Sequence, residues 1–218
     1  MKYFRFWLIG FLILLMTGCS QQSNRAKGVY MLLDTSGTYA VELKKARLII
    51  NYLLGTLQPG DTMAVGRIDT GSFSEKDIVA KVTFDARPSV ANNQKRAFQN
   101  SVNTFVTGIR QSSYTDISGG MLQAIEYLNE SGSANKYILI FSDLQEELAK
   151  GYVRDVPFEL SGFHIIALNV TKLRADNQDP KNYLARVKQW REKTVKEGGG
   201  TWRVINDLER LDNILAKG

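Results

Sequence analysis

From residue 28 onward, short apolar runs alternate with longer amphipathic stretches. That alternation is the pattern of an α/β domain, in which buried strands are joined by helical crossovers. Residues 29–33 read as the first buried strand. Residues 41–57 follow as a helix, with Leu43, Ala46, Leu48, Ile50, Leu53 and Leu54 supplying its apolar face. Pro59-Gly60 marks a turn, and residues 62–68 and 78–84 read as two strands. The link at 71–76 is too short for a helical crossover, so this pair is expected to be antiparallel. Two helices come next, at 92–109 and 118–129.

Residues 137–141 form a continuous apolar run, which predicts a central strand, and 163–170 form another. A helix over 182–196 is expected to bury Leu184, Val187 and Val195, and Gly198-Gly199-Gly200 stops it. Residues 201–205 and 208–215 read as a last strand and a last helix. With no internal repeat, residues 28–218 are expected to form one domain. The fold class is three-layer α/β, with a mainly parallel central sheet, one antiparallel edge strand, and helices on both faces.

The first stretch has a different character. Lys2 and Arg5 flank an apolar run over 6–16, about 11 residues against the ~20 that a spanning helix needs. Short length and a basic flank fit a signal peptide. Met16-Thr17-Gly18-Cys19 follows, and it resembles the lipobox of bacterial lipoproteins. The resemblance implies a signal peptide over 1–18, lipidation of Cys19, and a tether over 19–27. It also implies a place in the bacterial cell envelope, anchored to a membrane. Ser20 after the cysteine resembles the pattern of outer-membrane sorting in enteric bacteria, with the domain facing the periplasm. Residues 20–27 reach at most ~28 Å when extended, which keeps the domain close to its membrane.

Composition narrows the chemistry. The chain has 218 residues, 44% of them hydrophobic, enough for one sizeable core. A net charge of +6 favours acidic surfaces in general, and nothing in it reads as a nucleic-acid footprint. Cys19 is the one cysteine and His164 the one histidine. An internal disulfide is therefore excluded, as is a zinc site built from Cys and His. A hydrolytic triad would have to use His164, which sits in an apolar run and reads as an ordinary strand residue.

In an open parallel sheet, binding residues gather beyond the carboxyl ends of the central strands. Two strands here end in aspartate, in Met31-Leu32-Leu33-Asp34-Thr35-Ser36-Gly37-Thr38 and in Tyr137-Ile138-Leu139-Ile140-Phe141-Ser142-Asp143. Between them lies Ser112-Ser113-Tyr114-Thr115-Asp116-Ile117. Over about 28–215 this arrangement resembles the von Willebrand factor A family. The family's metal-ion-dependent adhesion site uses Asp-x-Ser-x-Ser, a later Thr and a later Asp. Asp34 and Ser36 match its first two positions, Thr38 stands where the second Ser is usual, and Thr115 and Asp143 fit the other two.

Two carboxylates and three hydroxyls make an all-oxygen donor set suited to Mg²⁺ or Mn²⁺. Hydroxyls add no charge, so a cation held there keeps positive character for a carboxylate from outside. The resemblance implies that Ser36, Thr38 and Thr115 ligate directly, with Asp34 and Asp143 acting partly through water. It implies a non-catalytic module whose partner is an envelope or periplasmic protein supplying an acidic side chain, with no small-molecule substrate.

Blander and rival readings stand beside this one. An aspartate at a strand end is commonly a turn or cap residue, and Asp116 or Ser118 could cap the third helix. Asp34-Thr35-Ser36-Gly37-Thr38 also resembles the Asp-x-x-Gly-Thr loop of haloacid-dehalogenase-like phosphohydrolases, with Asp34 as nucleophile. Ser36 then stands where that family carries a second Asp, and Asp143 with Glu146 or Glu147 would form its acidic loop. A metal-free scaffold is the third reading. It would use Lys181, Arg186, Lys188, Trp190, Arg191, Lys193 and Lys196 to dock on lipid or an acidic partner, unless these are simply an exposed, solvated face. The segment 145–160, longer than a minimal connection, borders the expected metal face.

Overall fold

A computed structural model describes residues 26–36, 42–69, 74–109, 112–148, 150–154, 156–171, 179–206 and 208–215. Cys19, Thr38, the expected signal peptide and most of the tether lie outside the described residues. Six strands run in the order β3-β2-β1-β4-β5-β6. They are β1 (Lys27–Leu33), β2 (Thr62–Arg67), β3 (Ile78–Thr83), β4 (Asn135–Phe141), β5 (Phe163–Leu168) and β6 (Thr201–Ile205). All pairings are parallel except β2 with β3, the antiparallel edge expected from their short link.

Strand alternation divides the core between the two faces of the sheet. Val29, Met31 and Leu33 of β1 face the layer of α1 (Leu43–Thr56), α2 (Pro88–Thr107) and α5 (Leu208–Leu215). Tyr30 and Leu32 face α3 (Ile117–Glu130) and α4 (Pro180–Arg191). α3 lies close against the sheet because residue 120 is glycine. A Cβ there would stand 2.5 Å from Ile68 Cγ2 and 2.9 Å from a methyl of Leu32.

Two helices present different faces from those expected. In α1 the buried set is Leu43, Ala46, Ile49, Ile50, Leu53 and Leu54, whereas Leu48 is 57% exposed. Ile49 continues the 46–50–53 stripe, and Leu48 falls a full 100° away from it. In α4, Leu184 is 62% exposed and Val195 is exposed too, while Val187 packs partly against the core. The stripe that packs inward is Tyr183, Val187, Trp190 and Thr194, spaced four, three and four residues apart, and the helix ends in a π-helical segment at Glu192–Glu197. Trp190 is a core residue, with its indole N–H donated to Leu144 O at 3.0 Å. It is therefore not available to an exposed lipid- or partner-docking face.

Candidate functional site

The strand order reverses between β1 and β4, and a crevice at such a switch point is where open α/β sheets place ligands. Leu33 pairs with Phe141, so the residues that follow each strand leave the sheet side by side. Asp34 N–H donates to Phe141 O at 3.0 Å, and Ile68 N–H donates to Leu33 O at 3.1 Å. The end of β1 is thereby held from both sides.

Asp34 is fully buried. Its Oδ1 accepts from Ser36 N–H at 2.9 Å and its Oδ2 from the Ser142 hydroxyl at 2.7 Å. That second bond joins the β1 and β4 ends directly. Asp143 is buried as well, with Oδ1 accepting from Gln145 N–H at 2.9 Å. The chain turns there through Leu144, which takes a left-handed φ of 66°. The turn is pinned from α4, since Arg186 Nε donates to Asp143 O at 3.3 Å and Trp190 donates to Leu144 O.

The third segment arrives from before α3. Ser112 forms a parallel bridge with Ser36, and its hydroxyl donates to Asp69 O at 2.7 Å. Thr115 is buried and exchanges two backbone hydrogen bonds with Glu147, at 2.8 and 2.9 Å. Asp116 N–H donates to Ile68 O at 2.7 Å. Four of the five expected site residues, Asp34, Ser36, Thr115 and Asp143, therefore lie on segments tied to one another at one end of the sheet.

Asp116 takes the capping role. Its side chain accepts from Gly119 N–H at 2.6 Å, in a space so tight that a Cβ at Gly119 would lie 2.5 Å from the carboxylate. The Arg154 guanidinium completes this arrangement, with Nη2 at 2.8 Å and Nε at 3.0 Å from Asp116 Oδ2. Glu146 caps the same helix end, accepting from Ser118 N–H at 2.6 Å and from its hydroxyl at 3.1 Å. The long segment after β4 is thus clamped to the start of α3, one side of the site. The cap formed by Glu146 and the clamp formed by Arg154 were not foreseen, because both depend on side chains far apart in sequence.

Electrostatically, this end of the sheet carries negative charge out of water. Burial raises the Asp34 carboxyl above its ordinary range, with hydrogen bonds from Ser142 and Ser36 opposing and the charge of Asp69 adding. Burial also pushes Asp143 up to about 6, and the neighbouring Asp34 charge adds to it against the pull of Arg186. Two desolvated carboxylates that repel each other, with hydroxyl oxygens beside them, are chemically suited to a hard divalent cation. Among the described residues no three His, Cys, Asp or Glu side chains group closely enough to hold a metal by themselves. A cation here would therefore depend on the hydroxyls.

One acidic residue escaped the sequence reading. Asp69 follows β2 just as Asp34 and Asp143 follow β1 and β4. The same strand-end signal would have found it.

No protein-family model matches the sequence, and no curated protein does either. Solved structures do match. The chain is similar to a von Willebrand factor type A protein from Catenulispora acidiphila, at 15% identity and a TM-score of 0.54. That match covers 89% of this chain and 42% of the other. It is similar to the conserved hypothetical protein BatB from Bacteroides thetaiotaomicron, at 12% identity and a TM-score of 0.50, covering 88% of this chain and 98% of that one. The pilus adhesin SpaC from Lactobacillus rhamnosus GG gives 12% identity and a TM-score of 0.54, over 90% of this chain and 30% of the adhesin. This chain thus spans less than half the length of the first and third of these proteins. The fold is that of a von Willebrand factor A-like domain.

Proposed function

We propose that this chain is a non-catalytic binding module, spanning residues 28–218, that holds Mg²⁺ or Mn²⁺ and uses it to engage an acidic side chain of another envelope protein. Asp34, Ser36, Thr38, Thr115 and Asp143 would hold the cation. When bound, the cation supplies a Lewis-acidic position for an outside carboxylate. Ser36 and Thr115 offer neutral oxygens, Ser142 and the Ser36 amide orient Asp34, and Gln145 orients Asp143. The observation that carries this reading is the hydrogen-bonded convergence of the 34–36, 112–116 and 142–147 segments around two buried carboxylates. The likeness in fold to a pilus adhesin supports it more weakly.

The test is Mg²⁺ and Mn²⁺ titration of the full chain and of Asp34→Ala. Asp34→Ala should lose at least about a hundredfold in affinity while keeping its circular dichroism spectrum, since ligand-shell losses are of this order or larger. Equal affinity in the variant would remove the site. A Mg²⁺-dependent phosphatase activity lost in Asp34→Asn would favour the phosphohydrolase reading instead.

The second part of the proposal is the anchor, with residues 1–18 removed and 19–27 as a lipidated tether on Cys19. Among the described residues no helix is long and apolar enough to cross a membrane. β1 begins at Lys27, whose N–H donates to Asp61 at 2.8 Å, at the end of the strand opposite the site. Seven strand residues separate the two ends by roughly 23 Å, so a tether that enters at the end opposite the site allows the site to face away from the membrane. Metabolic labelling with a fatty acid should mark the protein and miss Cys19→Ser. Label retained in the variant would count against the anchor.

A further inference from the structure

Asp69 lies two residues beyond β2, and its side chain is only 8% exposed. Among the described residues its buried Oδ1 finds no hydrogen-bond donor. Among the described residues Arg67 approaches it, with Nε 3.4 Å away, but the same Nε lies 3.4 Å from Asp77 Oδ1. Arg67 is thus divided between two carboxylates and does not saturate either. The backbone of Asp69 is fixed to the site, because its carbonyl takes the Ser112 hydroxyl and Ser112 bridges to Ser36. Its charge is felt by Asp34. A cavity of about 460 Å³ opens beside it, lined by Arg67, Asp69, Thr104, Phe105, Ile109 and Ser112. Room for water and a buried oxygen without a donor stand together beside Ser112, which ties this segment to Ser36.

We propose that Asp69 is a further acidic member of the candidate cation site, taking a hydrogen bond at Oδ1 from water bound to the divalent cation. The proposal rests on the reading that Asp34, Ser36, Thr115 and Asp143 hold the cation. Asp69 acts as a positioning residue, and its charge adds to the field that retains a divalent ion. The same charge lowers the attraction left over for an outside carboxylate, so Asp69 sets a balance between holding the cation and presenting it. A purely structural Asp69, serving Arg67, would behave in the opposite way. Its removal would weaken the fold and leave metal affinity alone.

The experiment is Mn²⁺ titration calorimetry on the full chain, together with Asp69→Asn, Arg67→Gln and Asp34→Ala, and melting temperatures measured in chelator. Asp69→Asn should bind Mn²⁺ about tenfold more weakly, the scale of losses from groups that act through a ligand or its water. Its metal-free melting temperature should stay level or rise, since a charge repelling Asp34 is gone. Arg67→Gln should bind Mn²⁺ as well as the wild type or better. Unchanged affinity in Asp69→Asn overturns the proposal. So does a fall in its metal-free melting temperature, or an Arg67→Gln variant that loses affinity as Asp69→Asn does. If the wild type binds no Mn²⁺, the parent reading falls with it. If the wild type binds and Asp34→Ala does not, failure at Asp69 concerns this inference alone.

Discussion

Two buried aspartates mark opposite ends of the sheet, Asp61 before β2 and Asp34 after β1, and their surroundings treat the charge differently. Asp61 receives a backbone N–H on each oxygen, from Lys27 at 2.8 Å and from Gln58 at 2.7 Å. Those bonds close the amino end of β1 onto the turn before β2. Asp34 receives one backbone N–H and one hydroxyl, and faces the charges of Asp69 and Asp143. A carboxylate satisfied by backbone donors is a joint in the fold. A carboxylate set among other carboxylates and hydroxyls stores repulsion that a cation would relieve. Burial alone does not separate the two cases, whereas the identity of the neighbours does.

The sharpest way to break this contrast is to remove the joint. Asp61→Ala leaves the N–H groups of Lys27 and Gln58 without their acceptor in a part-buried setting. The expected cost is about 3 kcal/mol, from two unsatisfied donors at the usual penalty each. Urea denaturation would read it. Mn²⁺ affinity of the folded fraction should be unchanged, because Asp61 lies at the far end of the sheet from Asp34. A variant as stable as the wild type would mean that water replaces the carboxylate, and the joint would then be no different in kind from the site.

Much of this architecture was legible in the chain. Strands buried on both faces read as continuous apolar runs, so 137–141 and 163–168 stand out in the sequence as they do in the sheet. The short link at 71–76 correctly indicated the antiparallel edge. Asp34 and Asp143 could be placed from strand ends, since a parallel sheet brings all of its carboxyl ends to one side, whereas Ser36 and Thr115 were singled out by the family resemblance. What stayed hidden depends on geometry that a period cannot carry. The helical period allows a stripe through Leu184 and Val195 as well as one through Tyr183, Val187, Trp190 and Thr194, and packing buries the second. Trp190 looked like part of a basic face until Leu144, at a left-handed turn, offered its carbonyl. The Arg154–Asp116 pair spans 38 residues and leaves no local signature.

A subtler effect sharpens the same contrast through pH. Asp143 titrates at about 6 in the folded protein, above the ordinary aspartate value of 3.8, chiefly because burial disfavours its charge. Burial raises Asp34 in the same direction. Between pH 4 and pH 6 the folded state therefore holds more protons than the unfolded chain. Stability from these groups is complete below about pH 4 and is lost as pH rises through 6, the reverse of the usual carboxylate behaviour. Glu42 and Glu192, held low by Lys45 and Lys196, and Asp85, held at about 2 by Arg87, lose their contributions only as pH falls below their ordinary values. His164, which burial holds below its ordinary 6.5, adds stability as pH rises through the same window, so the contribution of the carboxyl end of the sheet is the part of the profile that Asp143→Asn removes. Chelated protein should lose about 2 kcal/mol of unfolding free energy between pH 4 and pH 7, the scale of a two-unit shift in one well-buried group with some allowance for solvent. Urea titrations across that range would measure it, and Asp143→Asn should flatten the slope markedly. A profile from pH 4 to pH 7 that Asp143→Asn leaves unchanged would show that the carboxylates at this end are as well satisfied as Asp61. The case for a cation between them would then lose its electrostatic footing.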